Sequence, residues 1–329
     1  MGGYNNITGA ALRRPTASAL TPLTGQQDGG SLFPVAQMLL PTLNPFGNLW
    51  YVWAEEGNDG LNGLAPGSAL ASIGEALDRA AARDMILIGP GTYNENVVVT
   101  KDYISLIGAV APGYAKPDIV PDAGKALYVQ AAQGIIGIHL RLSSADDDVL
   151  LNEGNGFVFA DCVFDGDGQS ATEGLVRLKG NADDDSYTAS EGVIEDCLFR
   201  GSGGVGLIFD TGDAPWNGVG CTDDVIRRCS FIGNTEVDIV TQDSGSGATT
   251  YSVQRALIEG NFFRDKNKTC YIDFTTANAG AASDQTGAIM GNTFAADAIN
   301  TTRVAMVGTG FTFGGNFSNL GVVDGTGLD

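Results

Sequence analysis

Between residues 157 and 318 one pattern of apolar and polar positions returns six times. It reads Phe157-Val-Phe-Ala-Asp-Cys162-Val-Phe164, Val193-Ile-Glu-Asp-Cys197-Leu-Phe199, Val225-Ile-Arg-Arg-Cys229-Ser-Phe231, Leu257-Ile-Glu-Gly-Asn261-Phe-Phe263, Ala288-Ile-Met-Gly-Asn292-Thr-Phe294 and a degenerate Phe311-Thr-Phe-Gly-Gly-Asn316-Phe-Ser318. The Cys-or-Asn position recurs after 35, 32, 32, 31 and 24 residues. Between copies lies a second apolar run: Leu175-Val-Arg-Leu, Gly206-Leu-Ile-Phe, Val237-Asp-Ile-Val, Cys270-Tyr-Ile-Asp-Phe and Arg303-Val-Ala-Met-Val. Self-similarity at a nearly fixed period marks a repeat architecture. The runs are too short and too loop-separated for a helical solenoid, so each unit is strand, corner, strand and variable loop. The prediction is a β-solenoid. Met85-Ile-Leu-Ile, Val97-Val-Val, Ile104-Ser-Leu-Ile, Leu127-Tyr-Val and Ile135-Ile-Gly-Ile supply earlier, less regular coils, for eight or nine in all. At the spacing between strands the rod is about 40 Å long.

Stacking places equivalent residues above one another. Cys162, Cys197, Cys229, Asn261, Asn292 and Asn316 are expected to form one inward ladder, and Phe164, Phe199, Phe231, Phe263 and Phe294 an aromatic stack. Thiols pack there as small apolar groups, and buried amides satisfy each other up the column.

Ahead of the repeats the pattern changes twice. Trp50-Tyr51-Val52-Trp53 reads as an opening strand, and Leu70, Ile73, Ala76, Leu77 and Ala80 recur at helical spacing. Ser68 is the expected N-cap, with Glu75 and Arg79 as a surface pair, in a helix of about four turns ending near Asp84. Residues 1–49 show no sustained period and are broken by proline, so they close no core of their own. The expected organisation is an extended arm over 1–49, an opening strand and capping helix over 50–84, and the β-helix over 85–329.

Composition sharpens this. With 47 Gly and only 17% charged residues, the chain is rich in turns and poor in solvated helix faces. Its net charge of −21 repels phosphate and argues against nucleic acid or an anionic membrane as partner. The arm carries only Arg13, Arg14 and Asp28 as charges. An apolar, slightly basic arm on an acidic body suits docking on another protein, with Arg13, Arg14, Leu32, Phe33, Leu39 and Leu40 as the expected contacts. Five Cys without close pairs do not form a disulfide framework, and a single His leaves no His-rich zinc site. No basic, then apolar, secretory signal is visible, and no apolar run is long enough to insert in a membrane.

The segments Tyr51-Val52, Gly57-Asn58-Asp59-Gly60, Ile73-Gly74-Glu75-Ala76-Leu77 and Ile86-Leu-Ile-Gly-Pro-Gly91-Thr92-Tyr93-Asn94-Glu95 resemble the opening of right-handed parallel β-helix domains of the pectate-lyase-like superfamily. The resemblance covers about residues 50–320. It implies an all-β, right-handed parallel β-helix whose helix caps the first coil and whose Gly-Thr-Tyr-x-Glu segment turns the first rung. It specifies fold more than function, because the fold hosts lyases, hydrolases, esterases, adhesins and phage spikes.

Catalysis in that superfamily implies a basic residue with carboxylate-held calcium, or paired acids on neighbouring rungs. The Asn-Thr-Asp, Gly-His-Gly, Arg-Ile-Lys and Arg-x-Pro-x-x-Arg segments of those enzymes are missing here. His139 reads as a strand residue facing solvent or a ladder. If the chain is an enzyme, the acids are Asp161 and Asp196, one coil apart in the same rung position, with Glu195 and Glu259 flanking Arg227 in the next column. Stacked charges that alternate in sign also describe a surface ladder. No cofactor is expected; the runs Asp146-Asp147-Asp148 and Asp183-Asp184-Asp185 are loop acids with at most weak affinity for Ca²⁺.

Two functional classes follow. One is a non-enzymatic virion protein of a tailed bacteriophage, a decoration or short spike held on head or tail proteins by residues 1–49, made in the host cytoplasm. The resembling phage proteins imply a homotrimer. The other is a polysaccharide-degrading tailspike or free lyase or hydrolase, or an adhesin that binds a host surface glycan without cleaving it. Trp216 is the expected glycan platform for either form of the second class.

Overall fold

The computed structural model describes residues 47–109, 115–130, 133–166, 174–179, 189–210, 219–242, 252–265, 268, 270–274, 286–295, 304–306, 310–318 and 321–323. The chain divides into Met1–Pro45 and Phe46–Asp329. The expected arm contacts Arg13, Arg14, Leu32, Phe33, Leu39 and Leu40, the acidic run Asp183-Asp184-Asp185 and the platform Trp216 lie outside the described residues.

The body is a right-handed parallel β-helix. Among the described residues its strands form three long sheets, called A, B and C here, of ten, eight and ten strands in the order A, C, B. One coil runs from Val158–Ala160 in sheet A through Val163–Asp165 in sheet B to Gly174–Lys179 in sheet C. The next repeats it with Val193–Glu195, Leu198–Arg200 and Val205–Asp210. Successive coils pair in parallel and in register, Phe164 on Phe199 on Phe231.

Each repeated segment read from the sequence as one strand is therefore two. The break falls at the residue before each Cys or Asn: Asp161, Asp196, Arg228, Gly260, Gly291 and Gly315 all have positive φ, between 48° and 65°. A left-handed residue redirects the chain from sheet A into sheet B, at a strain cost for the non-glycine members. His139, with φ 58°, is the same corner one coil earlier and not a strand residue. The hydrophobic pattern could not reveal the break, because apolar residues flank it on both sides.

Inside the corner the expected ladder forms. Asn261 Oδ1 accepts the Cys229 N–H at 2.8 Å, Asn292 Oδ1 the Asn261 N–H at 2.9 Å, and Asn316 Oδ1 the Asn292 N–H at 3.0 Å. Each amide NH2 also donates to a carbonyl of an earlier coil, Ile226, Ile258 or Ile289. Cys162, Cys197 and Cys229 continue the column as buried free thiols. Burial pushes the Cys162 and Cys197 thiols well up, so these are packing groups and not nucleophiles. Beside them the Phe164, Phe199, Phe231, Phe263 and Phe294 rings stack at successive centroid distances of 5.0, 4.5, 5.0 and 4.8 Å. Such side-chain ladders favour a flat sheet over a strongly twisted one.

The opening strand is Leu49–Val52, which pairs in register with Met85–Ile88 as the first rung of sheet A. The helix is shorter than its periodicity suggests. It spans Ile73–Arg79, capped by Ser72, whose Oγ accepts the Glu75 N–H. Ser68 instead closes a 3-10 turn, Pro66–Ser68. The apolar Leu70 that extends the helical pattern is extended chain, bridged to Val52 and fully buried. The Glu75–Arg79 pair forms at 2.6 Å. Glu95 receives the Ile73 and Gly74 N–H groups, both at 2.8 Å, and Lys101 Nζ reaches the Leu77, Asp78 and Ala80 carbonyls. Charged side chains from the following coils thus satisfy both ends of the helix.

Candidate functional site

The outward residues of sheet B carry a groove of about 410 Å³. Strand alternation sends Tyr93, Ile119, Leu142, Phe164 and Phe199 inward. Thr92, Asp118, Arg141, Val163 and Arg200 therefore face out, and they line the groove with Lys116. Arg141 pairs with Asp118 at 3.3 Å and Asp165 at 2.8 Å, and Arg200 closes on Asp165 at 2.6 Å. Ser143 Oγ donates to Asp118 at 3.1 Å. Burial pushes the Asp118 carboxyl above its ordinary value, Arg141 and Ser143 offsetting only part of that, and Asp165 adds to the rise. The Arg141 Nε is buried without a hydrogen-bond partner among the described residues.

At the groove's edge stands Asp161, the sequence-nominated acid. It takes Lys116 Nζ and His139 Nδ1 at 2.7 Å each. Burial alone would raise its carboxyl, but Lys116 and then His139 outweigh that and hold it below the ordinary range. Asp196 and Glu195 stand one coil on, and from the coil after that Arg228 reaches both, Asp196 at 2.8 Å and Glu195 at 2.6 Å, while Arg227 contacts Glu195 at 2.7 Å. Arg228 holds Asp196 below its ordinary value. Glu259 follows Arg227 in the same column. Asp161 therefore borders the groove, whereas Asp196, Glu195 and Glu259 build the alternating charge ladder on the corner and the adjoining edge of sheet A.

The groove residues Asp118, Asp165 and Arg200 were not singled out by sequence reasoning. The signal was present for two of them: Asp165 and Arg200 follow the aligned Phe164 and Phe199 by one residue and so share a column. Lys116 and Asp118 belong to an early coil whose irregular spacing hides the register.

The outer face of sheet C carries a second cluster. Arg177 forks onto Asp148 at 2.6 Å, reaches Asp210 at 3.0 Å and contacts Gln242 Oε1 at 3.1 Å. The two carboxylates are 4% and 1% exposed, too enclosed to meet a substrate, so the cluster reads as a staple across coils. Asp146 and Asp147, the other acids of that run, turn to the Gly124 N–H and to Lys125. The three carboxylates therefore have separate partners. Among the described residues no group of three His, Cys, Asp or Glu side chains converges as metal ligands, and no helix is long and apolar enough to cross a membrane.

A buried pair sits nearby: Lys268 Nζ lies 2.5 Å from Asp238, which also accepts from Asn234. Burial pushes Asp238 from its ordinary 3.8 up to about 6, with Lys268 and Asn234 pulling it partly back. Between those values the folded chain holds a proton that the unfolded chain has lost. This contribution to stability is fully present below pH ~4 and is lost as pH rises through ~6, a change of up to about 3 kcal/mol. Asp238→Asn should flatten that part of the urea-midpoint profile, leaving the slope from Asp224, which burial also raises. A profile unchanged by the substitution would show that Asp238 stays ionised throughout.

No family model and no curated protein sequence matches the chain. Solved structures do. An alginate lyase from Paenibacillus sp. str. FPU-7 aligns at 14% identity and TM-score 0.48, over 75% of this chain and 92% of that one. Pectin methylesterase PemA from Erwinia chrysanthemi aligns at 12% identity and TM-score 0.49, over 84% and 91%. Tailspike protein gp49 of Acinetobacter baumannii bacteriophage Fri1, a capsular polysaccharide depolymerase, aligns at 11% identity and TM-score 0.38, over 71% of this chain and 52% of that one.

Proposed function

We propose that the chain is a non-enzymatic structural protein of a tailed-phage virion, a β-helix decoration or short spike held on the head or tail surface by residues 1–49. The observation that carries this reading is the commitment of Asp161, Glu195 and Asp196 to ion pairs. Asp161 and Asp196 are held below the ordinary carboxylate range, so at neutral pH neither has a proton to give a leaving group. Their neighbours Glu195, Arg227 and Arg228 complete a ladder of alternating sign, which suits an inert, solvated surface. The proline-broken, slightly basic arm supplies the attachment, and three copies around a shared axis fit the closed symmetry usual for such assemblies.

Imaging particles from the source by cryo-electron microscopy tests the reading. Symmetric copies of the rod on a capsid or tail, with residues 1–49 along a neighbouring protein, are the expected result; absence of the chain from any particle sinks it. Deleting residues 1–45 should leave a folded, soluble rod that no longer attaches. An unfolded product would mean that the segment belongs to the core.

A second reading, a polysaccharide-degrading enzyme, draws on one observation: Asp118, raised by burial, shares Arg141 with Asp165. A carboxyl raised above its ordinary value beside a second, ion-paired carboxylate is a shift in the direction that a general acid needs. New reducing ends released from a polysaccharide by the wild-type chain, and lost in Asp118→Asn, would favour it.

A further inference from the structure

The outward column of sheet B that contains the groove continues past it. In-register pairing carries it from Thr92 through Asp118, Arg141 and Val163 to Leu198, Ser230, Phe262, Thr293 and Phe317. Its far end changes character. Phe262 and Phe317 are 47% and 52% exposed although their own strands or neighbours bury Phe263 and Phe294 completely. The two rings are separated by one threonine rung, so they stand two strand spacings apart, about 10 Å. That is the length of a disaccharide unit in an extended glycan. The Cys, Asn and Phe ladders behind the sheet keep the column straight, so platforms at a fixed spacing stay in line.

We propose that this column is a binding track for a neutral, extended hexopyranose chain lying along the rod. Phe262 and Phe317 take the C–H faces of alternate sugars, and the charged groove takes hydroxyls. Electrostatics selects the class of ligand. Lys116, Arg141 and Arg200 are balanced in the groove by Asp118, Asp161 and Asp165. Such a mixed array offers donors and acceptors together, which hydroxyls need and a row of carboxylates does not. A uronate polymer would also have to approach a chain of net charge −21, at contact distances where salt screens poorly. The track requires no cleavage and does not depend on where the protein is mounted.

Calorimetric titration of the full-length chain with cellohexaose, and with hexagalacturonate as its acidic counterpart, tests the proposal. Expected are saturable binding of cellohexaose, an at least tenfold weaker response to hexagalacturonate, and an at least tenfold loss in the Phe262→Ala/Phe317→Ala double variant. Thr293→Arg, which places a long side chain between the rings, should lose as much. All variants are on the outer face and should melt as the wild type does. No cellohexaose binding at millimolar concentration, tighter binding of the uronate, or undiminished binding by either variant overturns it. So does a fall in the oligomeric mass of the double variant by light scattering, which would make the face a contact between copies of this chain.

Discussion

Replacing Arg177 with Met is expected to destabilise the β-helix by about 3–5 kcal/mol, the usual cost of removing one partner from a buried ion cluster. Arg177 is 11% exposed and stands between Asp148 and Asp210, which are almost wholly enclosed. Asp148 also accepts the Gly174 N–H at 2.8 Å, so one carboxylate joins two neighbouring coils. Without the guanidinium two enclosed carboxylates repel each other in low dielectric. Urea titration at pH 7 measures the loss. A loss below about 1 kcal/mol would mean that the cluster is effectively solvated. The Arg177→Met/Asp148→Asn/Asp210→Asn variant should recover much of the loss, because the charges leave together.

Asn261→Leu is expected to cost about 2–5 kcal/mol, the cumulative price of two or more enclosed polar groups left unpaired at about 1–3 kcal/mol each. Asn261 is fully buried at the junction where thiols give way to amides. It satisfies the Cys229 N–H and the Ile226 carbonyl, and it donates to the next amide at 3.1 Å. Leucine fills a similar volume, so the loss isolates hydrogen bonding from packing. Asn261→Cys, which extends the thiol column by one rung, should cost less, since Cys197 Sγ already stands 3.3 Å from the Cys162 N–H in the equivalent place. Equal losses for Leu and Cys in thermal melts would show that the amide's bonds carry no special weight.

Sequence alone determined the fold class, the inward ladders and the corner charge ladder. Stacking at a fixed period turns a one-dimensional repeat into vertical columns, so aligning Cys162 with Cys197 or Glu195 with Arg227 is already a statement about contact. Only the tertiary structure decided what lies where the period fails. Leu70 continues a helical pattern, yet backbone bonds to Tyr51 and Trp53 hold it extended and leave a helix of two turns. Asp161, Asp196 and Arg228 look like strand residues until their positive φ reveals a corner. The groove joins Lys116 to Arg200 across several coils of unequal length, and the Arg177 staple joins Asp148 to Gln242 in the same way. Loop lengths between strands absorb the irregularity, so sequence separation does not encode which outward side chains meet. Register across the sheet does, and it is fixed by the packing of the inward faces.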